Sequence, residues 1–246
     1  MSGQNTATPN SSEAPDLTNG RTHVLLDLDG TLSDSEPGIM RSLQWACELE
    51  GFPIPSEEEV RSVIGPPFEL GLPSIGIPDD ALSRVINRYR ERYEEIGLFE
   101  NTLYDGIVEM LDAMAAQGLS LSIATAKPER TALRIIEHFG LTDRFEAIVG
   151  ASYTPERRAK AQVITHALGL LGIPSGYPRM AQEVIMVGDR DHDVLGAMQN
   201  GIPCIGVNWG YGSPEELLTS GAVVMADTPA DVVELVNRSY RFEHWS

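Results

Sequence analysis

The sequence predicts an α/β fold: a Rossmann-like parallel sheet core with an inserted α-helical cap domain. Three observations carry this. From Tyr104 onward, helical segments alternate with short apolar runs, the pattern of a parallel sheet covered by helices on both faces. Residues 36–100 interrupt that alternation directly after the first strand and have helical texture. Two acidic groups, Asp27 with Asp29 and Asp189 with Asp193, each follow an apolar run. Both therefore emerge at the carboxyl edge of the sheet, where open α/β sheets bind ligands.

Residues 1–20 are rich in Ser, Thr, Asn, Pro and Gly, have almost no large apolar residue, and are expected to form a disordered tail. The core is expected over 21–35 and 101–246, and the cap over 36–100. The first strand covers roughly 22–27. In the cap, Ile39, Leu43, Ala46, Cys47 and Glu50 fit an amphipathic helix, and Gly65-Pro66-Pro67 a loop. A longer cap helix runs from about Asp79 to Gly97, with Leu82, Val85, Ile86, Tyr89 and Tyr93 at helical spacing. The core then continues as helix 106–117, strand 119–125, helix 129–139, strand 147–149, helix 159–171 and strand 184–187. Helix 191–200, strand 204–207, a strand near 222–225 and helix 229–238 complete it.

Composition narrows the function. A net charge of −18 repels nucleic-acid backbones, so no nucleic-acid role is expected. A small phosphorylated substrate requires a metal and local cations to offset the carboxylates. The two cysteines, Cys47 and Cys204, form no zinc or disulfide pattern, and a reducing, cytoplasmic setting is expected. No apolar stretch approaches the roughly 20 residues that span a bilayer, and the N-terminus lacks a signal-peptide apolar region. A monomer or homodimer is expected.

In Asp27-Leu28-Asp29-Gly30-Thr31, the two carboxylates point the same way because strand side chains repeat with period two. One can attack while the other handles a proton. Gly30 permits a sharp turn and Thr31 offers an anchoring hydroxyl. Asp189 and Asp193 lie in a second acidic tract, Gly188-Asp189-Arg190-Asp191-His192-Asp193. Together the groups make an oxygen-rich pocket suited to a hard cation, Mg²⁺ above all where phosphate is the other ligand. Among 18 basic residues only Lys127 and Lys160 are lysines, and both fall near the same edge. A lysine retained among arginines suggests a need for a compact point charge.

These tracts resemble the haloacid dehalogenase (HAD) superfamily over about residues 22–238. Asp27–Thr31 resembles its first motif, Thr125 at a strand end the second, Lys160 the third, and Gly188-Asp189 with Asp193 the fourth. The helical insertion resembles the C1 cap of the phosphoglycolate phosphatase-like subgroup, as do Ile64-Gly65-Pro66-Pro67 and Gly188-Asp189-Arg190. The resemblance implies a Mg²⁺-dependent phosphomonoester hydrolase acting through an aspartyl-phosphate. Phosphoglycolate, a 5′-nucleotide or a sugar phosphate all remain open as substrates. In that scheme Asp27 is the nucleophile and Asp29 the acid and base. Thr125 and the Ala126 N–H bind phosphate, and Lys160 bridges nucleophile and phosphate. Asp27, the Asp29 carbonyl and Asp189 hold the metal. Asp193 holds Lys160 or a metal-bound water.

Two branches are set aside. Hydrolytic dehalogenases of the family replace the second aspartate, whereas Asp29 is present. The phosphonate hydrolases use a cap lysine, and residues 36–100 contain none. The alternative is a phosphotransferase of the same fold, a phosphomutase or a HAD-type protein tyrosine kinase. The chain resembles the latter in Gly65-Pro66-Pro67 and Asn208–Gly212, but it has no Walker loop or protein-kinase signature. A non-catalytic binding module fits poorly with four intact motifs.

Blander roles are expected elsewhere. Asp191 reads as a helix-start acid, His192 as an exposed or packing residue, and Trp45, Tyr89 and Tyr93 as cap core. Asp34 and Ser35 should begin the cap linker, with hinges near 33–36 and 100–105. Lys127 either reaches substrate or sits at the rim. Gly65-Pro66-Pro67 is a turn or a loop over the site, and Asn208–Gly212 is a rim or a structural loop. Nothing singles out Arg41 or Arg92.

Overall fold

The computed structural model describes residues 20–64, 68–152, 155–177 and 179–240. The Gly65-Pro66-Pro67 tract and nearly all of the tail expected at 1–20 lie outside the described residues. The chain begins with β1 (His23–Leu26) and β2 (Ser33–Asp34). The helices α1 (Glu36–Glu50), α2 (Glu57–Val63), α3 (Phe68–Gly71) and α4 (Leu82–Glu95) follow, and β3 (Thr102–Leu103) returns the chain. Next come α5 (Ile107–Ala116), β4 (Ser120–Pro128), α6 (Glu129–His138), β5 (Ala147–Ala151), α7 (Lys160–Leu170) and α8 (Met180–Glu183). The chain ends with β6 (Val184–Gly188), α9 (Asp191–Gln199), β7 (Cys204–Val207), α10 (Pro214–Ser220), β8 (Val224–Ala226) and α11 (Pro229–Leu235).

Six strands form one parallel sheet in the order β5-β4-β1-β6-β7-β8. Chain order reverses at β1, so the crevice between β1 and β6 is the switch point of a doubly wound sheet. All five residues of β6 are buried, as is Val24-Leu25-Leu26 of β1. Strands covered on both faces lose polar alternation and read as continuous apolar runs. Leu26 is level with both Val187 and Ile123, and the Asp27 N–H donates to the Val187 carbonyl at 3.0 Å. That register brings the residues after β1 and β6 out together, with those at the end of β4 beside them.

The four helices of the insertion lie between β2 and β3, which pair antiparallel as a two-stranded ribbon. Both connections to the core thus run side by side at 33–34 and 102–103. In α1, Ile39, Leu43, Ala46 and Cys47 are buried, and in α4 so are Val85, Ile86, Tyr89 and Tyr93. The spacing puts each set on one helix face. α2 is started by a capping box, Ser56 accepting from the Glu59 N–H while Glu59 accepts from the Ser56 N–H. One apolar cluster runs from Val24 and Leu26 in the sheet through Leu43 of α1 to Val85 of α4, so the insertion is packed onto the core.

Candidate active site

After β1 the chain turns tightly. The Leu28 carbonyl accepts from the N–H groups of Leu32 at 2.9 Å and Ser33 at 3.0 Å. The turn needs Gly30 at φ +81°, which side-chain-bearing residues rarely adopt. A Cβ there would also collide with the Asp189 carboxylate. The Thr31 hydroxyl, predicted as an anchor, donates to Asp189 Oδ1 at 3.0 Å. The first and fourth motifs are thus joined directly.

Lys160 begins α7 and is only 4% exposed. Its Nζ lies 2.8 Å from Asp27 Oδ1 and 2.6 Å from Asp193 Oδ1. Burial pushes the ammonium pKa down, but the Asp193 and Asp27 carboxylates outweigh it and raise the pKa overall. The other Asp193 oxygen accepts from the N–H groups of Asp189 and Arg190, both at 3.1 Å. Burial works against the charge on Asp193, yet Lys160 and these N–H groups hold its pKa below the usual range. Asp189 behaves oppositely. Burial, then the charges of Asp193 and Asp27, push its pKa well up against the bonds from the Tyr211 N–H and the Thr31 hydroxyl.

Thr125 is buried in β4, and its hydroxyl accepts from the Lys127 N–H at 3.2 Å, which leaves the hydroxyl proton for an outside acceptor. Lys127 donates to both oxygens of Asp29, at 2.7 and 2.9 Å. Its Nζ also lies 5.0 Å from the centre of the Tyr93 ring. Lys127 is held on Asp29 at the cavity wall rather than loose at the rim, and its reach toward substrate stays open. Its rarity as a lysine was the one available signal.

A cavity of about 510 Å³ lies over these residues. Asp27, Asp29, Thr125, Ala126 and Lys127 line its core side, and Ile39, Ile64, Phe68, Ile86, Tyr89 and Tyr93 its cap side. Lys160, Asp189 and Asp193 do not line it. Tyr89 and Tyr93 are buried in the cap as expected, with rings stacked at 5.1 Å, and they also face the cavity. Phe68 meets Tyr89 edge-on at 4.6 Å. Trp45 is partly buried against the core cluster, Asp191 stands in the first turn of α9, and His192 is half-buried beside the cavity. Arg92 and Arg41 both bind Glu100.

The donor set suits a hard cation. Single ligand atoms of Asp27, His192 and Asp193 lie within 4.8 Å of one another. Asp193, however, is already held by Lys160 and two N–H groups, and imidazole is a poor partner for Mg²⁺. Asp27 and Asp189 are better placed chemically. Asp189 is fully buried beside the charges of Asp193 and Asp27, which push its pKa well up, a situation that a divalent ion would relieve.

One contributor had no strong signal. Asn208–Gly212 lies against both acidic motifs. The Trp209 Nε1–H donates to the Thr31 carbonyl at 3.0 Å, and the Tyr211 N–H to Asp189 Oδ2 at 2.8 Å.

Three kinds of similarity agree with this geometry. Residues 24–207 match the family model for haloacid dehalogenase-like hydrolases. A 5′-nucleotidase of Pseudomonas aeruginosa is 39% identical over 196 residues, covering 79% of this chain and 86% of that protein. The tyrosine-protein kinase PtkA of Mycobacterium tuberculosis is 40% identical over 189 residues, covering 77% of this chain but 62% of that protein. Among solved structures, a predicted phosphatase from Clostridium acetobutylicum superposes with a TM-score of 0.80 at 34% identity, covering 88% of this chain and 98% of that one.

Proposed function

The chain belongs to the haloacid dehalogenase-like hydrolases, and from that premise we propose that it is a Mg²⁺-dependent phosphomonoester hydrolase with Asp27 as nucleophile. The observation that carries the proposal is the Lys160 ammonium between Asp27 and Asp193, with Asp29 and Thr125 on the same cavity. Lys160 keeps the Asp27 carboxylate aimed at 2.8 Å, and offsets the phosphate charge as it arrives. An Asp27 oxygen attacks phosphorus and the ester oxygen leaves, taking a proton from the Asp29 carboxyl. Asp29 then accepts a proton from water as that water attacks the aspartyl-phosphate, freeing phosphate and restoring Asp27. The Thr125 hydroxyl and Ala126 N–H hold the phosphoryl oxygens. Lys127 fixes Asp29 at the cavity wall. A Mg²⁺ ion held by Asp27, the Asp29 carbonyl and Asp189 would neutralise phosphate charge and lessen its repulsion of the nucleophile.

A 5′-nucleotide is the favoured substrate. A nucleoside suits the Phe68–Tyr89 wall, whereas phosphoglycolate would leave most of the 510 Å³ empty. The name of the P. aeruginosa relative supports the same choice. No described helix is long and apolar enough to cross a membrane. A cytoplasmic setting fits the two buried, free thiols, Cys47 and Cys204. The mycobacterial relative's name favours a second reading, phosphotransfer to a tyrosine from the same Asp27 intermediate.

Phosphate release from nucleotides, sugar phosphates, phosphoglycolate and phosphotyrosine separates the two. Release with Mg²⁺ and no acceptor, stopped by chelation and reduced at least about 10³-fold in Asp27→Asn, is expected. Phosphoryl transfer only when an acceptor is present would replace the hydrolase with the transferase.

A further inference from the structure

Helix α1 opens the cap with N–H groups that its own N-cap residue does not satisfy. Its N-cap residue, Ser35, is helical (φ −94°, ψ −2°) and makes no side-chain capping bond. Those N–H groups are met from the core instead. The Tyr211 hydroxyl accepts from the N–H of Ser35 at 2.9 Å and of Glu36 at 3.0 Å. It donates to Asp34 Oδ1 at 3.1 Å, and Asp34 Oδ1 also accepts from the Glu36 N–H at 3.1 Å. The backbone N–H of the same tyrosine holds Asp189 Oδ2.

The flanking glycines make this reach feasible. A Cβ on Gly210 would collide with the Asp189 side chain and the Gly30 carbonyl, and one on Gly212 with the Asp189 carbonyl. Trp209 pins the other end of the loop to Thr31. One residue therefore joins the hinge strand β2, the first turn of α1 and the carboxylate of Asp189.

The geometry points to Tyr211 as a positioning residue that links the cap hinge to Asp189, so that binding a cation at Asp189 and ordering the hinge favour each other. This rests on the metal site proposed above. Linkage of this kind is reciprocal: whatever the cation does for the hinge, a closed hinge does for the cation.

The test uses the full chain, free of substrate, with Mg²⁺ as the only added ligand. Calorimetry measures Mg²⁺ binding, and hydrogen exchange follows the amides of residues 33–40. In the wild type, saturating Mg²⁺ should slow exchange at Ser35 and Glu36 about fivefold, the low end of ordinary coupling. Tyr211→Phe keeps the ring and the backbone N–H but loses the hydroxyl. It should still bind Mg²⁺ while its hinge amides respond less than about twofold, and KM for a phosphomonoester should rise with kcat largely kept. If Tyr211→Phe does not fold, the wild type alone decides: saturating Mg²⁺ must protect the Ser35 and Glu36 amides, which meet the Tyr211 hydroxyl, more than the amides of α4, and equal protection of both sets overturns the link. Equal protection in both proteins overturns the link, as does bound Mg²⁺ with no protection in the wild type. Failure of the wild type to bind Mg²⁺ removes the metal site itself, and this linkage with it.

Discussion

Lys160 shows how one side chain settles a local balance. Its charge faces Asp27 and Asp193, which are buried with it. Removing one member of such a group strands the others in a medium that solvates them poorly. Lys160→Met is therefore expected to lower folding stability by about 3–5 kcal/mol, as for other broken buried pairs, besides abolishing turnover. Urea unfolding of the two proteins checks this. A loss below about 1 kcal/mol, the level of an exposed pair, would mean that water reaches the cluster. Asp29 and Lys127 are paired in the same way, but at the cavity wall rather than behind it. In the proposed mechanism the two lysines therefore divide the work: Lys160 serves the nucleophile, Lys127 the acid and base.

At the scale of elements, the β2–β3 ribbon is flanked by ion pairs that draw on two helices of the insertion, α1 and α4. Glu100, just before β3, binds Arg41 of α1 at 3.0 Å and Arg92 of α4 at 2.8 Å. Its pKa is lowered, first by the hydrogen bond from Arg92, against an opposing effect of burial. A carboxylate with a depressed folded pKa stabilises above its unfolded value and loses that contribution as pH falls through the folded one. The gap in melting temperature between wild type and Glu100→Gln should be present at pH 7 and close below the ordinary value of 4.5. A gap that does not narrow as the pH falls below 4.5 would contradict it. The ribbon itself was not legible in the sequence, because each strand is two residues long and has no alternation to read. The same holds for α10, whose seven residues have a Ser213 cap but bury only Leu217. The long strands and helices were legible because burial on one or both faces leaves its period in the chain. β4 runs to Pro128, past the expected end at Thr125, since the polar residues there extend along the cavity rather than turning away. The acids, Thr125 and Lys160 were legible as residue types at strand and helix ends. Their partners were not, since Lys127 meets Asp29 only through the sheet register, and Tyr211 meets Ser35 across 176 residues of chain.

At the scale of the whole molecule, the proposed phosphomonoester requires a chain of net charge −18 to attract an anion. Lys127, Arg90, Arg158 and Arg190 stand around one cavity, where they offset its acidic groups Asp27, Asp29, Glu69 and Glu94. Some of these also tie cap to core. Arg190 donates to the Ile64 carbonyl and binds Glu216, Arg158 pairs with Glu69 of α3, and Arg134 of α6 donates to the Glu94 carbonyl at 2.8 Å. The core side of the cavity carries Asp27, Asp29, Thr125 and Lys127, while the cap side carries the rings of Phe68, Tyr89 and Tyr93. Substrate choice should follow that division. Phe68 meets the Tyr89 ring on the cap side of the cavity, so its loss should affect the leaving group and spare the chemistry. Aromatic contacts of this kind are worth about 0.5–1.5 kcal/mol beyond area, which is roughly twofold to thirteenfold in kcat/KM. Phe68→Ala should lose that factor toward a 5′-nucleotide, with the change mostly in KM, and keep its rate on phosphoglycolate or glycerol phosphate. Steady-state phosphate release on the paired substrates measures it. An equal loss on both would place Phe68 in cap closure rather than in recognition, and would reopen the choice between a nucleoside and a smaller leaving group.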